Sequence, residues 1–115
     1  MTSENRKYAL ASLFGDRGNE PIGDVPYAIR LGLRVLAMGP GTATLSLPYR
    51  DELVGDPTRG VIFGGVITAL LDHAAGIATA CALEELTAIA TLDLRIDYLR
   101  AAAPNYDLCG RMECY

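Results

Sequence analysis

Residues 60–76 read GVIFGGVITALLDHAAG and hold the residues best suited to chemistry. Gly64 and Gly65 precede an apolar run, and within that run stand Asp72 and His73, the only histidine of the chain. Glycines at a helix start let a ligand approach backbone N–H groups that have no intrahelical acceptor, and the helix dipole favours negative charge there. A carbonyl on its way to a tetrahedral oxyanion is the species such donors stabilise best. A carboxylate can serve the same reaction as general base or nucleophile.

Spacing limits how the two groups work. The eight residues from Gly64 to Asp72 span about 12 Å of helix axis, whereas one reacting carbonyl needs donor and base within roughly 3 Å. If Gly64 and Asp72 act together, one must come from a second, antiparallel copy of the helix, so a catalytic protein is at least a dimer. The same-face neighbours of Asp72 are Gly65, Thr68, Ala69, Ala75, Gly76 and Thr79, all small. That stripe leaves room for a second helix or a slender ligand chain. Simpler readings exist for each residue. Asp72 can be a buried acid paired with Arg30, Arg34 or Arg95, and the glycines only a tight turn into the helix. His73 lies about 100° round the helix from Asp72 and reads as packing or interface, not a dyad partner. Phe63 and Tyr98 read as core.

Composition narrows the function class. The chain has 115 residues, half of them apolar, and a net charge of −4. One domain, 1–115, is expected. No basic face points to nucleic acid. Cys81, Cys109 and Cys114 lack metal-site spacing and fit reduced thiols. There is no metal cluster, phosphate loop or dinucleotide fingerprint, so no metal and no cofactor are expected. The polar start MTSENRKYAL lacks the apolar core of a signal peptide, which suggests a cytoplasmic protein. Residues 61–83 are long enough to span a bilayer. Asp72 near the midplane would cost about 2.5–3.5 kcal/mol, and the segment lacks leucine-rich bulk, so no membrane partner is expected.

The elements that must position these groups follow from patterning. Ser3 caps a short helix over 4–14 that Gly15 ends. Tyr27, Ile29, Leu31, Leu33 and Val35 alternate as a strand, Gly39-Pro40-Gly41 turns, and 42–47 return as a second strand. Residues 64–83 form a helix buried on most sides. Residues 91–98 alternate as a third strand, AAAPN turns, and a fourth strand begins near Tyr106. This is an α+β chain with an antiparallel sheet around one long helix.

With these residues in order, GVIFGGVITALLDHAAG followed by ATLDLRIDYLRAAAP resembles the hotdog-fold acyl-CoA thioesterases of the PaaI-like type over roughly residues 26–115. The family pattern is His-Gly-Gly at the helix start, an acid on the helix, and a Ser/Thr-initiated strand ending in a Tyr-Leu-like pair. Here Phe63-Gly64-Gly65, Asp72 and Thr91 to Leu99 match it, and RDELVGDP matches an upstream loop whose usual Asn falls on Asp56. The resemblance implies hydrolysis of an acyl-CoA or aryl-CoA thioester to the acid and coenzyme A, at a site between subunits of a homodimer or homotetramer. It implies that the Gly64 N–H polarises the carbonyl and that Asp72 is base or nucleophile. Thr91 would hold Asp72 or its water, with Phe63, Gly65 and Asp56 on the substrate side. Phe63 cannot hydrogen-bond as the His does, and Asp56 cannot donate through an amide. Arg59, Arg95, Arg100 and Arg111 suit coenzyme A phosphates or a solvated face. A complete hotdog sheet has five or more strands, so about 20–30 residues of the last strands are expected to be missing from this chain. The alternative function is a non-catalytic acyl-CoA-binding module or an inactive truncated remnant. A dehydratase, which wants a usable His beside the acid, ranks below both.

Overall fold

Alternation of Thr42, Thr44 and Ser46 with Ala43, Leu45 and Leu47 sends every second side chain of this stretch into the core, where Ala43, Leu45 and Leu47 are buried. The computed structural model describes residues 20–21, 25–85 and 88–115. The helix expected over 4–14 lies outside the described residues. In chain order the elements are β1 (Glu20–Pro21), α1 (Pro26–Leu31), β2 (Arg34–Gly39), β3 (Thr42–Leu47), β4 (Val54–Asp56), β5 (Val61–Ile62), α2 (Gly64–Ala82) and β6 (Leu108–Glu113). A 3-10 turn over Asp51–Leu53 leads into β4.

Strands β1, β2, β3 and β6 form one antiparallel sheet in that order, and β4 and β5 form a separate hairpin. Helix α2 lies across β3 and β6. It buries Val66, Leu70, Ala74, Ile77, Ala78, Ala80 and Cys81 against Leu33, Val35, Leu45 and Leu47. Leu33, Leu45, Leu47, Leu70 and Ile77 are almost fully enclosed, each contributing about 1.5–3 kcal/mol of apolar burial. Gly110 allows the close approach of helix and sheet: a Cβ there would lie 3.2 Å from Leu70 Cγ and 3.4 Å from Leu71 Cδ2. By length and apolarity α2 could cross a membrane, but here its apolar side is the face packed on the sheet.

Two expected strands differ. Residues 26–31 form a helix, and the strand runs 34–39 instead of 27–35. Pro26 sits at the helix start, where its fixed φ is preorganised and its missing N–H costs nothing. Gly32, in the left-handed region at φ 77°, closes the far end and donates its N–H to Ala28 and Ile29 carbonyls. Ala28 and Leu31, three apart, are therefore the buried pair, and Tyr27 and Ile29 are exposed. Only Leu31, Leu33 and Val35 of the alternating set face the core.

Residues 91–98 join no ladder among the described residues. They hold no regular secondary structure and are mostly exposed, with Leu92, and Leu99 just beyond, almost wholly open to solvent. Alternation records two-sidedness, not a hydrogen-bonding neighbour, and β6 pairs with β3 rather than with this segment. The strand expected near Tyr106 is β6, which begins at Leu108.

Candidate active site

The start of α2 is built by the β4–β5 hairpin. Phe63 N–H donates to Leu53 O at 2.8 Å, which fixes where the chain leaves β5. Phe63 is the N-cap residue and makes no side-chain cap bond. Its carbonyl accepts the N–H groups of Val66 at 3.0 Å and Ile67 at 3.3 Å. The N–H groups of Gly64 and Gly65 stand ahead of these first intrahelical bonds and leave the helix end as donors. The glycines also make room for the ring of Phe63. A Cβ on Gly65 would lie 2.6 Å from Phe63 Cε1, and one on Gly55 would lie 2.9 Å from Phe63 Cα.

Asp72 lies two turns on, half-buried, and accepts the Thr91 hydroxyl at Oδ1 across 2.7 Å. That is a charge-assisted hydrogen bond of short length. A carboxylate has about four lone-pair sites, so Asp72 keeps acceptor capacity for a water. Of the three arginines expected as possible partners, Arg95 turns instead to Asp97 at 3.4 Å. Burial of His73 pushes its imidazole pKa below the ordinary 6.5, opposed by the neighbouring Asp72 charge, so the ring is neutral at pH 7.

Asp56 lies apart from this pair. Its carboxylate accepts the Thr58 hydroxyl at 2.7 Å and the Thr58 N–H at 3.1 Å. Its carbonyl accepts the N–H groups of Arg59 and Gly60. The Thr58 hydroxyl holds the Asp56 carboxyl below the usual carboxylate range. No hydrogen bond or ion pair among the described residues joins Asp56 to Gly64 or Asp72. Arg59 lines a cleft of about 410 Å³ with Tyr49, Thr58 and Asn105, while Arg111 pairs with Glu113 at 3.1 Å on the surface.

Phe63 and Tyr98 are not core residues: each is 58 % exposed. The Tyr98 hydroxyl lies 3.2 Å from the Gly64 carbonyl and 3.2 Å from Thr68 Oγ1. Thr68 Oγ1 itself donates to the Gly64 carbonyl at 3.1 Å. The segment after α2 thus touches the helix twice, through Thr91 at Asp72 and through Tyr98 at Gly64. Strict strand alternation puts residues 91 and 98 on opposite faces, so patterning concealed this. Among the described residues no three His, Cys, Asp or Glu side chains gather as a metal site.

The family model "Thioesterase superfamily" matches residues 59–115. Medium/long-chain acyl-CoA thioesterase YigI of Salmonella typhimurium is 29 % identical over 94 residues, covering 70 % of this chain and 61 % of that protein. A second curated relative, from Halobacterium salinarum, is 37 % identical over 75 residues, covering 63 % of this chain and half of its own length. The chain thus spans less than two thirds of both curated relatives. A crystal structure of a Pseudomonas aeruginosa protein superposes with a TM-score of 0.72 at 37 % identity, covering 99 % of this chain and 76 % of that one. The phenylacetic acid degradation protein PaaI of Thermus thermophilus, solved as a point mutant, superposes with a TM-score of 0.64 at 29 % identity, covering 76 % of this chain and 70 % of that one.

Proposed function

Because this chain belongs to the thioesterase superfamily and has the hotdog fold of PaaI-like members, we propose that it hydrolyses an acyl-CoA or aryl-CoA thioester. The observation that carries this reading is the Thr91–Asp72 hydrogen bond of 2.7 Å on the same helix that begins with two glycine donors. The substrate class is supported by the Salmonella relative, an acyl-CoA thioesterase.

In this reaction the Gly64 N–H receives the thioester carbonyl oxygen as it gains negative charge. Asp72 takes a proton from a water, whose oxygen attacks the carbonyl carbon, or attacks that carbon itself and is freed by water in a second step. The C–S bond breaks, the thiolate of coenzyme A takes a proton, and the acyl group leaves as a carboxylic acid. Thr91 holds one oxygen of Asp72 and leaves the other to face the water. His73 takes no part.

Two copies are needed. Gly64 and Asp72 lie eight residues apart on one unbroken helix, or about 12 Å along its axis. We assign Gly64 of one copy and Asp72 of an antiparallel second copy to each site. Exposed Phe63, Leu92, Tyr98 and Leu99 supply apolar surface on and beside the segment that carries Thr91. This supports a homodimer, or a homotetramer built from two dimers.

A binding module without turnover is the second reading. It is favoured by Phe63, whose side chain offers no polar atom at the helix start, and by Asp56, whose carboxylate is committed to Thr58. Thiol release from a panel of acyl-CoA substrates separates the two. Hydrolysis requires turnover by the wild type that Asp72→Ala abolishes. Saturable binding without thiol release supports the module, and equal activity of Asp72→Ala refutes the assignment of the base.

A further inference from the structure

The hydroxyl of Tyr98 is one corner of a triangle of oxygens with the Gly64 carbonyl and Thr68 Oγ1, with sides of 3.1, 3.2 and 3.2 Å. Two hydroxyls bring only two protons to three edges. The Gly64 carbonyl therefore receives both directly, or receives one that the other hydroxyl supports. In either arrangement this carbonyl is tied to a residue 34 positions away as well as to its own helix.

The consequence lies across the peptide plane. The Gly64 carbonyl and the Gly65 N–H belong to one planar unit and point in opposite directions. Fixing the carbonyl fixes the direction in which the Gly65 donor leaves the helix end. Glycine resists rotation of its peptide planes less than any other residue, so a Gly-Gly start depends on such outside ties. The preceding plane, which carries the Gly64 N–H, is already held by the bonds from Val66 and Ile67 to the Phe63 carbonyl. Gly64 itself is hemmed in by the same tyrosine, because a Cβ there would lie 3.4 Å from the Tyr98 hydroxyl.

We propose that Tyr98, acting with Thr68 through the Gly64 carbonyl, is a positioning residue that aims the Gly65 N–H as a second donor to the thioester oxyanion. Tyr98 does not touch the substrate. It shares its segment with Thr91, so one stretch of chain holds both the base and the donor. The inference rests on the thioester-hydrolysis reading and extends it to a second donor and to the residue that aims it.

The test is Tyr98→Phe, which removes one hydroxyl and keeps the exposed ring, compared with Asp72→Asn in the same thiol-release assay. A mis-aimed donor costs transition-state stabilisation and not ground-state binding. We expect kcat to fall roughly 3- to 10-fold, the effect of losing one ordinary hydrogen bond, with KM within about twofold. Thr68→Val should show the same split. A readout independent of turnover is the ¹³C shift of the Gly64 carbonyl, which must move in Tyr98→Phe because a hydroxyl that donates to that oxygen, or supports the one that does, is lost. A Tyr98→Phe protein with wild-type kcat, or with an unmoved Gly64 carbonyl shift, overturns the inference. Wild-type kcat in Tyr98→Phe beside an inactive Asp72→Asn overturns the inference alone. Wild-type activity in Asp72→Asn overturns the assignment of the base instead, and absence of thiol release by the wild type overturns the hydrolysis reading. A fall in kcat matched by an equal rise in KM also overturns the inference, since it marks general damage to the site.

Discussion

Thr91→Val is the perturbation that best separates a site from a stable contact. The substitution keeps the shape of the side chain and removes the hydroxyl that donates to Asp72 at 2.7 Å. A hydrogen bond to a charged group is worth about 1.5–3 kcal/mol when shielded, but Thr91 is exposed and Asp72 only half-buried, so water replaces much of it. The stability loss should stay below about 1 kcal/mol, a fall in melting temperature of less than about 8 °C for a chain of this size. Activity should respond far more. Without the bond the carboxylate samples several rotamers, and only one of them faces the attacking water. We expect kcat for thiol release to fall about 10- to 100-fold, equivalent to about 1.4–2.7 kcal/mol. Thr91→Ser, which keeps the donor, should retain most of the rate. The assays are thermal melting and continuous detection of free coenzyme A thiol. Thr91→Val within twofold of wild-type kcat would refute the claim that this hydroxyl orients the base. A drop of several kcal/mol in stability would show instead that the contact mainly holds the fold.

Other outcomes follow from the same geometry. Gly65→Ala puts a methyl 2.6 Å from Phe63 Cε1; the exposed ring can swing at a cost of about 1 kcal/mol, so melting should change little while thiol release falls about tenfold or more. Gly110→Val drives a side chain into Leu70, already 3.2 Å from the first added carbon, and should lower the urea midpoint by the equivalent of about 1–3 kcal/mol. His73 binds its proton less readily folded than unfolded, because burial lowers its pKa from 6.5. Its contribution to stability is therefore present above that value and lost as pH falls through it. The melting temperature of the wild type should drop more steeply below pH 6.5 than that of His73→Gln. Phe63→His places a hydrogen-bonding ring at the exposed helix start and should raise kcat several-fold, whereas an unchanged rate would show that this side chain does not reach the substrate.

The parts of this fold that patterning revealed are those decided by burial. The span of α2 and the alternation of β3 emerged because Leu70, Ile77, Leu45 and Leu47 have one enclosed environment each. The stretch 26–31 misled because Tyr27, Ile29 and Leu31 alternate by chance, while Pro26 and Gly32 carry the local signal for a short helix. Residues 91–98 misled differently. Their alternation is genuine, but a strand needs a neighbour, and among the described residues none pairs with them. The Asp72–Thr91 contact was expected from resemblance and not from spacing, since 19 residues of intervening chain fix no distance. Tyr98 at Gly64 was legible in neither way, because an exposed aromatic and a backbone carbonyl leave no pattern in sequence.

The central claim is that thioester hydrolysis takes its donor from one copy of α2 and its base from another. Co-expression of Asp72→Asn with Gly65→Val, each expected to be inactive by itself, tests it directly. In a mixed dimer one site inherits both lesions and the other inherits neither. With random pairing, half of the dimers are mixed and each has one intact site, so the co-expressed preparation should recover about a quarter of wild-type thiol release. A preparation of proven mixed dimers no more active than either variant alone would contradict the account.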